Sequence, residues 1–254
     1  KLRRGASNKG FDLFMHSDAP PGSGLGSSST MVVALVSVFK DYFKHPLTPY
    51  EIAELAYAIE RKDLGLKGGM QDQYGATFGG FNFIEYDAQK VIVNPLRLDR
   101  ETLLELHYSL ILCYTKQTRE SAGIIDDQIG RIEKGDDEAL RATHAIKALC
   151  IEMKSALLQG KLRTFGQLMH ASWEEKKRIA TRISNSHIDA LYDEARKHGA
   201  IGGKILGAGG GGYLLVFVPF DKKHHIMRRL SDMGGQPVDF NFERDGAVCW
   251  RVSH

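Results

Sequence analysis

Residues 19–30 read "APPGSGLGSSST" and stand between a short alternating apolar stretch and a long apolar run. Gly22, Gly24 and Gly26 are followed at once by Ser27, Ser28, Ser29 and Thr30. Without Cβ atoms a backbone can approach an anion closely, and the unpaired N–H groups of a helix start point at it. The helix dipole adds roughly +0.5 charge there. A Walker A loop needs Gly-x-x-x-x-Gly-Lys-Ser/Thr, and no lysine stands in 20–30. A Rossmann fingerprint needs Gly-x-G-x-x-G followed by a second parallel strand, whereas here the glycines run G-x-G-x-G and the next signal is another helix. The remaining option is a loop in which backbone amides hold phosphate oxygens and a hydroxyl reaches a metal ion. A plain helix cap is the competing reading, and the segment alone leaves both open.

The rest of the chain narrows the choice. Its 254 residues, 43% hydrophobic and 26% charged, suit one large globular domain or two smaller ones. No stretch approaches the ~20 apolar residues of a membrane span, and the basic start "KLRRGASNKGFDLF" has no apolar signal core. A net charge of +3 is too weak and scattered to suggest a nucleic-acid surface. Cys113, Cys150 and Cys249 lack metal or disulfide spacing, which favours a reducing, cytoplasmic setting. The 27 glycines cluster at 22–26, 65–69, 75–80 and 202–212, which marks specific backbone turns.

Alternation over Phe11–His16 predicts a strand, "MVVALVSVFKDYF" (31–43) a buried helix, and Thr48, Pro49 and Glu51 a capped helix with Ile52, Leu55, Ala56 and Ile59 on its apolar face. A hairpin is expected around Asp87–Lys90 and a buried strand over 108–115. Helices follow at 138–158, 162–179 and 188–197. Then come strand, glycine loop and strand in "KILGAGGGGYLLVFVPF", a basic helix (222–233), and two last strands, "QPVDFNF" and "AVCWRV". This order gives an α+β chain of two lobes dividing near 96–107.

Two segments join the loop as candidates for chemistry. On the capped helix Glu60 falls about 80° around from Ile52, at the edge of the apolar stripe. It faces either an interior cleft or solvent. Asp72 lies twelve residues on, in "GGMQDQYGATFGG", either crowding a ligand or serving as a turn aspartate. The run "GGKILGAGGGG" (202–212) precedes a strand, so it is no dinucleotide fingerprint, and its buried-strand flanks argue against a linker.

These three blocks, in this order, resemble the GHMP kinases, the superfamily of galactokinase and of homoserine, mevalonate and phosphomevalonate kinases. "PPGSGLGSSST" resembles the family's phosphate loop, "GGMQDQYGATFGG" its catalytic-aspartate segment, and "KILGAGGGGYLLVF" its third block. With "YTKQTRESAGII", the loop is most similar to the branch of heptose 7-phosphate and fucokinase-like sugar kinases. The resemblance implies a two-lobed fold, with a ribosomal protein S5 domain 2-like N-terminal lobe over 1–100 and a ferredoxin-like C-terminal lobe over 101–254. It also implies that the family's opening strand and substrate motif lie outside this sequence.

Site residues follow by resemblance. Pro21, Gly22, Ser23, Gly24, Leu25, Gly26, Ser27, Ser28 and Ser29 would wrap the phosphates of ATP. Ser28 and Glu60 would hold Mg²⁺, and Asp72 would take the acceptor's proton. Lys204 and Gly207, Ala208, Gly209, Gly210, Gly211 and Gly212 would lie near phosphate or substrate. Lys116 and Arg119 would grip a substrate phosphate, with a solvated surface pair as the competing reading. Trp173 and Met169 read as core, His224 and His225 as surface. The implied activity is ATP- and Mg²⁺-dependent phosphorylation of a sugar or sugar phosphate by a monomer or homodimer. The alternatives are an L-fucose or hexosamine kinase and a non-catalytic regulator on the same fold.

Overall fold

The computed structural model describes residues 10–20, 22–117 and 121–252, so Pro21 and Arg119 lie outside the described residues. The chain forms two compact units. One gathers the described parts of Lys1–Pro21, Gly26–Pro95 and Glu243–His254, and the other Gly22–Leu25 with Leu96–Phe242.

In the first unit, α1 (Ser27–Tyr42) starts at Gly26, whose left-handed backbone (φ 72°) offers no side-chain cap, and the first turn has no acidic residue. The run expected to be wholly buried is amphipathic: Val33 and Val36 face inward while Val38 and Tyr42 are exposed. Helix α2 (Pro49–Ala58) has its expected capping box, Thr48 Oγ1 accepting from Glu51 N and the Glu51 carboxylate accepting from Thr48 N. Ile52 and Ala56 pack against Val33 and Val36. Past Ala58 the helix widens into a π turn, Ile59–Asp63, and Leu64 N donates to Ile59 O at 2.9 Å.

A further helix, α3 (Gln71–Phe78), stands where a turn was one reading of Asp72. It is held by burial of Tyr74 against Ala53 and Val93. The hairpin of β1 (Asn82–Tyr86) and β2 (Val91–Pro95) forms as expected, with Asp87 Oδ1 accepting from Gln89 N and Lys90 N in the turn. The segment 243–252 returns to this unit, where Gly80 N donates to Glu243 O at 2.9 Å and Ala247 N to Thr77 O at 3.3 Å. A Cβ on Gly246 would stand 1.9 Å from Thr77 O, so only glycine passes. Two expected strands are not strands. Phe11–His16 and "AVCWRV" carry no ladder hydrogen bonds among the described residues, and alternation alone cannot satisfy a backbone without a partner strand.

The second unit runs α4 (Arg100–Tyr108), β3 (Leu110–Tyr114), α5 (Ser121–Glu133), α6 (Asp137–Leu158), α7 (Leu162–Ile179), α8 (Ser186–Lys197), β4 (Gly202–Ile205), β5 (Tyr213–Phe217), α9 (Lys223–Asp232) and β6 (Gln236–Val238). The four strands form one antiparallel sheet in the order β4-β5-β3-β6. With the helices this bears out the α+β reading.

Side-chain alternation gives the sheet two faces. On one, Ile205, Leu214, Ile111 and Cys113 pack with Ile188 and Leu191 of α8 and Ile226 and Leu230 of α9. On the other lies α7, so close that a Cβ on Gly202 would stand 1.8 Å from Gly166 O. Lys204, two residues from Gly202, shares that second face.

Candidate active site

In the first unit a polar cluster surrounds Glu60. The apolar stripe Ile52, Ala56 and the π turn carry this residue fully inward, to 1% exposure, rather than leaving it at the stripe's edge. π turns inside helices recur at functional sites. Ser28 Oγ, in the first turn of α1, donates to Glu60 Oε1 at 2.9 Å. Gln73 Nε2 donates to Glu60 Oε2, and also to Ser29 Oγ at 3.1 Å. Gln73 Oε1 is buried with no hydrogen-bond partner among the described residues. Sequence reasoning missed Gln73, because a lone buried glutamine has no periodic signature.

Asp72 occupies the first turn of α3 and presses on the loop. A Cβ on Gly26 would come within 3.1 Å of Asp72 Cγ. Its carboxyl is held above the usual carboxylate range. Loss of solvent raises it most, the Arg61 guanidinium pulls it down, and the Glu60 charge pushes it up. Arg61 is itself held at the glycine turn, Nε donating to Gly69 O at 3.4 Å. Ser28, Glu60 and Asp72 therefore belong to one neighbourhood built from α1, the π turn and α3.

The donor set fits a hard divalent cation. Mg²⁺ takes oxygen ligands, typically one or two carboxylates plus phosphate oxygens and waters. Here a buried carboxylate and a hydroxyl already touch, beside an orphaned amide oxygen. Among the described residues there is no group of three or more His, Cys, Asp or Glu that could hold a metal ion. The amides opening α1 lack a side-chain cap, so this end of a 16-residue helix is free to receive an anion.

In the second unit the third glycine block is a crossing point of four segments. The loop between β4 and β5 is closed by Gly212 N donating to Gln117 O at 2.7 Å and Gly210 N donating to Ile183 O at 2.8 Å. Thr115 N and Oγ1 both donate to Gly212 O. Asn185 Nδ2 bridges Gln117 Oε1 and Gly210 O. Residues 22–25 pass through the same crossing. A Cβ on Gly24 would stand 2.9 Å from Leu206 O, and one on Gly212 2.2 Å from Ser23 O. The glycines here are needed for backbone against backbone. Ser23 is buried, its Oγ accepting from Leu25 N at 3.4 Å, so its side chain shapes the loop from within.

The remaining candidates separate. Lys116 is exposed, with a left-handed backbone (φ 56°) just after β3. Lys204 is half-buried. Lys176 of α7, which the sequence did not single out, donates from Nζ to Gly207 O. Trp173 and Met169 are core, as expected. Burial pushes the Cys113 thiol up to about 11, which suits a packed, unreactive group. Among the described residues, no helix is long and apolar enough to cross a membrane.

Comparison with known proteins agrees with this architecture. Residues 1–80 match the GHMP kinases N terminal domain and residues 153–236 the GHMP kinases C terminal domain. The chain is 44% identical over 243 residues to the D-glycero-alpha-D-manno-heptose 7-phosphate kinase of Campylobacter jejuni, covering 95% of this chain and 71% of that protein. A solved D-glycero-D-manno-heptose 1-phosphate kinase from Bacteroides thetaiotaomicron superposes with a TM-score of 0.75 at 38% identity, covering 94% of this chain and 67% of that one. A solved Campylobacter jejuni protein described as a putative sugar kinase gives 0.74 at 43% identity, covering 93% and 67%. With both of the family's domains matched and relatives of this identity along nearly all of its length, the chain belongs to the GHMP kinases.

Proposed function

We propose that this GHMP kinase transfers the γ-phosphoryl group of ATP to a hydroxyl of D-glycero-D-manno-heptose 7-phosphate, giving the 1,7-bisphosphate. Phosphoryl transfer asks a protein mainly for positioning and charge stabilisation. The observation that carries the reading is the neighbourhood of Ser28, Glu60 and Asp72 at the uncapped start of α1. In this reading the backbone amides of 22–29 bind the phosphates of ATP. Ser28 and Glu60 would hold Mg²⁺, which when bound neutralises charge on the phosphate oxygens. Gln73 keeps the Glu60 carboxylate turned toward Ser28 by holding its other oxygen.

Asp72 takes the proton of the attacking hydroxyl. Its raised affinity for protons makes it a better base than an ordinary aspartate. A general base of this kind contributes about 10²–10⁴-fold. The glycine crossing of the second unit keeps 22–25 in shape through backbone contacts that no side chain could enter. The heptose preference is supported by the names of the 44% and 38% identical relatives. Cytoplasmic location is part of the same proposal, in keeping with cysteines that form no disulfide.

The test is ADP release from the purified full chain with ATP, Mg²⁺ and a panel of acceptors. Heptose 7-phosphate is expected to exceed L-fucose, N-acetylhexosamines and unphosphorylated heptose. Faster turnover of L-fucose or a hexosamine would replace the substrate assignment. ATP binding without turnover of any acceptor would make the chain a regulator.

A further inference from the structure

Lys176 and Lys204 form a pair of half-buried cations beside the third glycine block, and the catalytic roles above use neither. Lys176 sits on α7 and reaches back to the Gly207 carbonyl. Lys204 projects from β4 toward the face that α7 covers. Among the described residues neither ammonium has a carboxylate within ion-pair distance. Other cations of the same unit differ: Lys177 pairs with Glu174 at 2.9 Å, Arg131 with Asp136 at 2.8 Å, and Arg229 with Glu194. The Gly207 contact satisfies one of three donors on Lys176 and none on Lys204. Both groups are held below the usual lysine range. Loss of solvent is the main cause for each, and the Lys204 charge adds to the shift of Lys176, which falls to about 7. Two poorly hydrated ammonium groups close enough to repel are costly unless an anion completes the site.

We propose that Lys176 and Lys204 are a clamp for the phosphate monoester of the acceptor sugar. This rests on the sugar-phosphate kinase reading and names the residues that would distinguish a phosphorylated from an unphosphorylated acceptor. A phosphate monoester brings about −1.5 to −2 charge and three acceptor oxygens, which matches two ammonium groups with free donors. The triphosphate of ATP already has the amides opening α1 together with Ser28 and Glu60. A second phosphate needs cations of its own, and this pair is uncommitted.

The test uses Lys204→Met and Lys176→Met in the full chain, with inorganic phosphate as probe. Titration calorimetry should show phosphate binding to wild type and its loss in both variants. In steady state, inorganic phosphate should compete with the phosphorylated acceptor and not with ATP. Each variant should raise KM for that acceptor about 10- to 100-fold, the scale of a charge-assisted hydrogen bond, with KM for ATP unchanged. Should a methionine variant fail to fold, Lys204→Gln, which keeps polarity without the charge, serves in its place. Phosphate binding that is equal in wild type and variants, or absent from wild type, overturns the clamp. Competition against ATP, or a raised KM for ATP alone, overturns it in favour of the nucleotide tail. If phosphate binding depends on both lysines while wild type turns over only unphosphorylated sugars, the anion site stands and the substrate reading falls.

Discussion

Replacing Glu60 by glutamine isolates its charge from its shape. The side chain is fully buried and accepts two hydrogen bonds, from Ser28 Oγ and from Gln73 Nε2. In Glu60→Gln the amide oxygen must face Gln73, because two NH₂ groups cannot meet. The new NH₂ then points at Ser28, whose hydroxyl rotates to accept. Both hydrogen bonds survive with one reversed, and a buried charge disappears, so stability should change by no more than about 1 kcal/mol. For a chain of this size that is a melting shift within about 4 °C. Catalysis should respond quite differently. Removing one preorganised electrostatic contact to a developing charge costs about 10²–10³-fold, or about 2.7–4 kcal/mol. We expect kcat to fall by that factor and the Mg²⁺ concentration for half-maximal rate to rise, measured by coupled ADP release across a magnesium titration alongside a thermal melt. A folded Glu60→Gln enzyme with wild-type rate and wild-type magnesium response would refute the assignment. The buried carboxylate would then be a structural anchor for α1 and α3.

Asp72→Asn should lower kcat by about 10²–10⁴-fold with ATP affinity unchanged, measured by nucleotide titration calorimetry beside initial rates. Because the Asp72 carboxyl is held above its ordinary range, the wild-type rate should rise with pH through that elevated value, and the asparagine variant should lose this acidic limb. Gly26→Ala forces a left-handed alanine, costing roughly 1–2 kcal/mol, and drives a methyl to 3.1 Å from Asp72 Cγ. We expect kcat to drop more than KM for ATP rises, and equal changes would argue against the contact. Lys176 binds its proton less tightly when folded than when unfolded. Its destabilising effect is therefore full below about 7 and fades as pH rises toward the ordinary lysine value. Denaturant stability of wild type should gain on Lys176→Met as pH climbs through that window, and a constant difference would dismiss the shift.

Local signals in the sequence were legible where they were self-sufficient. The Thr48–Glu51 box, the Asp87 hairpin turn and the α7 stripe are each fixed by residues within a few positions of one another, and all three appear in the fold. Elements that depend on distant partners were not legible. "QDQYGATF" has poor helix formers and a glycine, yet it is α3 because Tyr74, Gln73 and Thr77 are buried by other segments. α5 (Ser121–Glu133) was passed over entirely. Phe11–His16 alternates but has no ladder partner among the described residues, and Phe14 is 93% exposed. At the candidate site, the serine loop, Glu60 and Asp72 could be named from the sequence. That Glu60 lies fully inside follows from the π turn and from Gln73, and neither leaves a mark in a linear pattern.

The clip that fastens 243–252 to Gly80 and Thr77 sets an order of events during synthesis. Domains generally mature from the amino end as the ribosome releases them. Here α1, α2, α3 and the hairpin must wait, lacking their last strap, until all of α4 to β6 has emerged. The half made first is thus the half finished last, and a chain that has emerged only as far as β6 would hold a complete four-stranded sheet while its first unit is still unfastened.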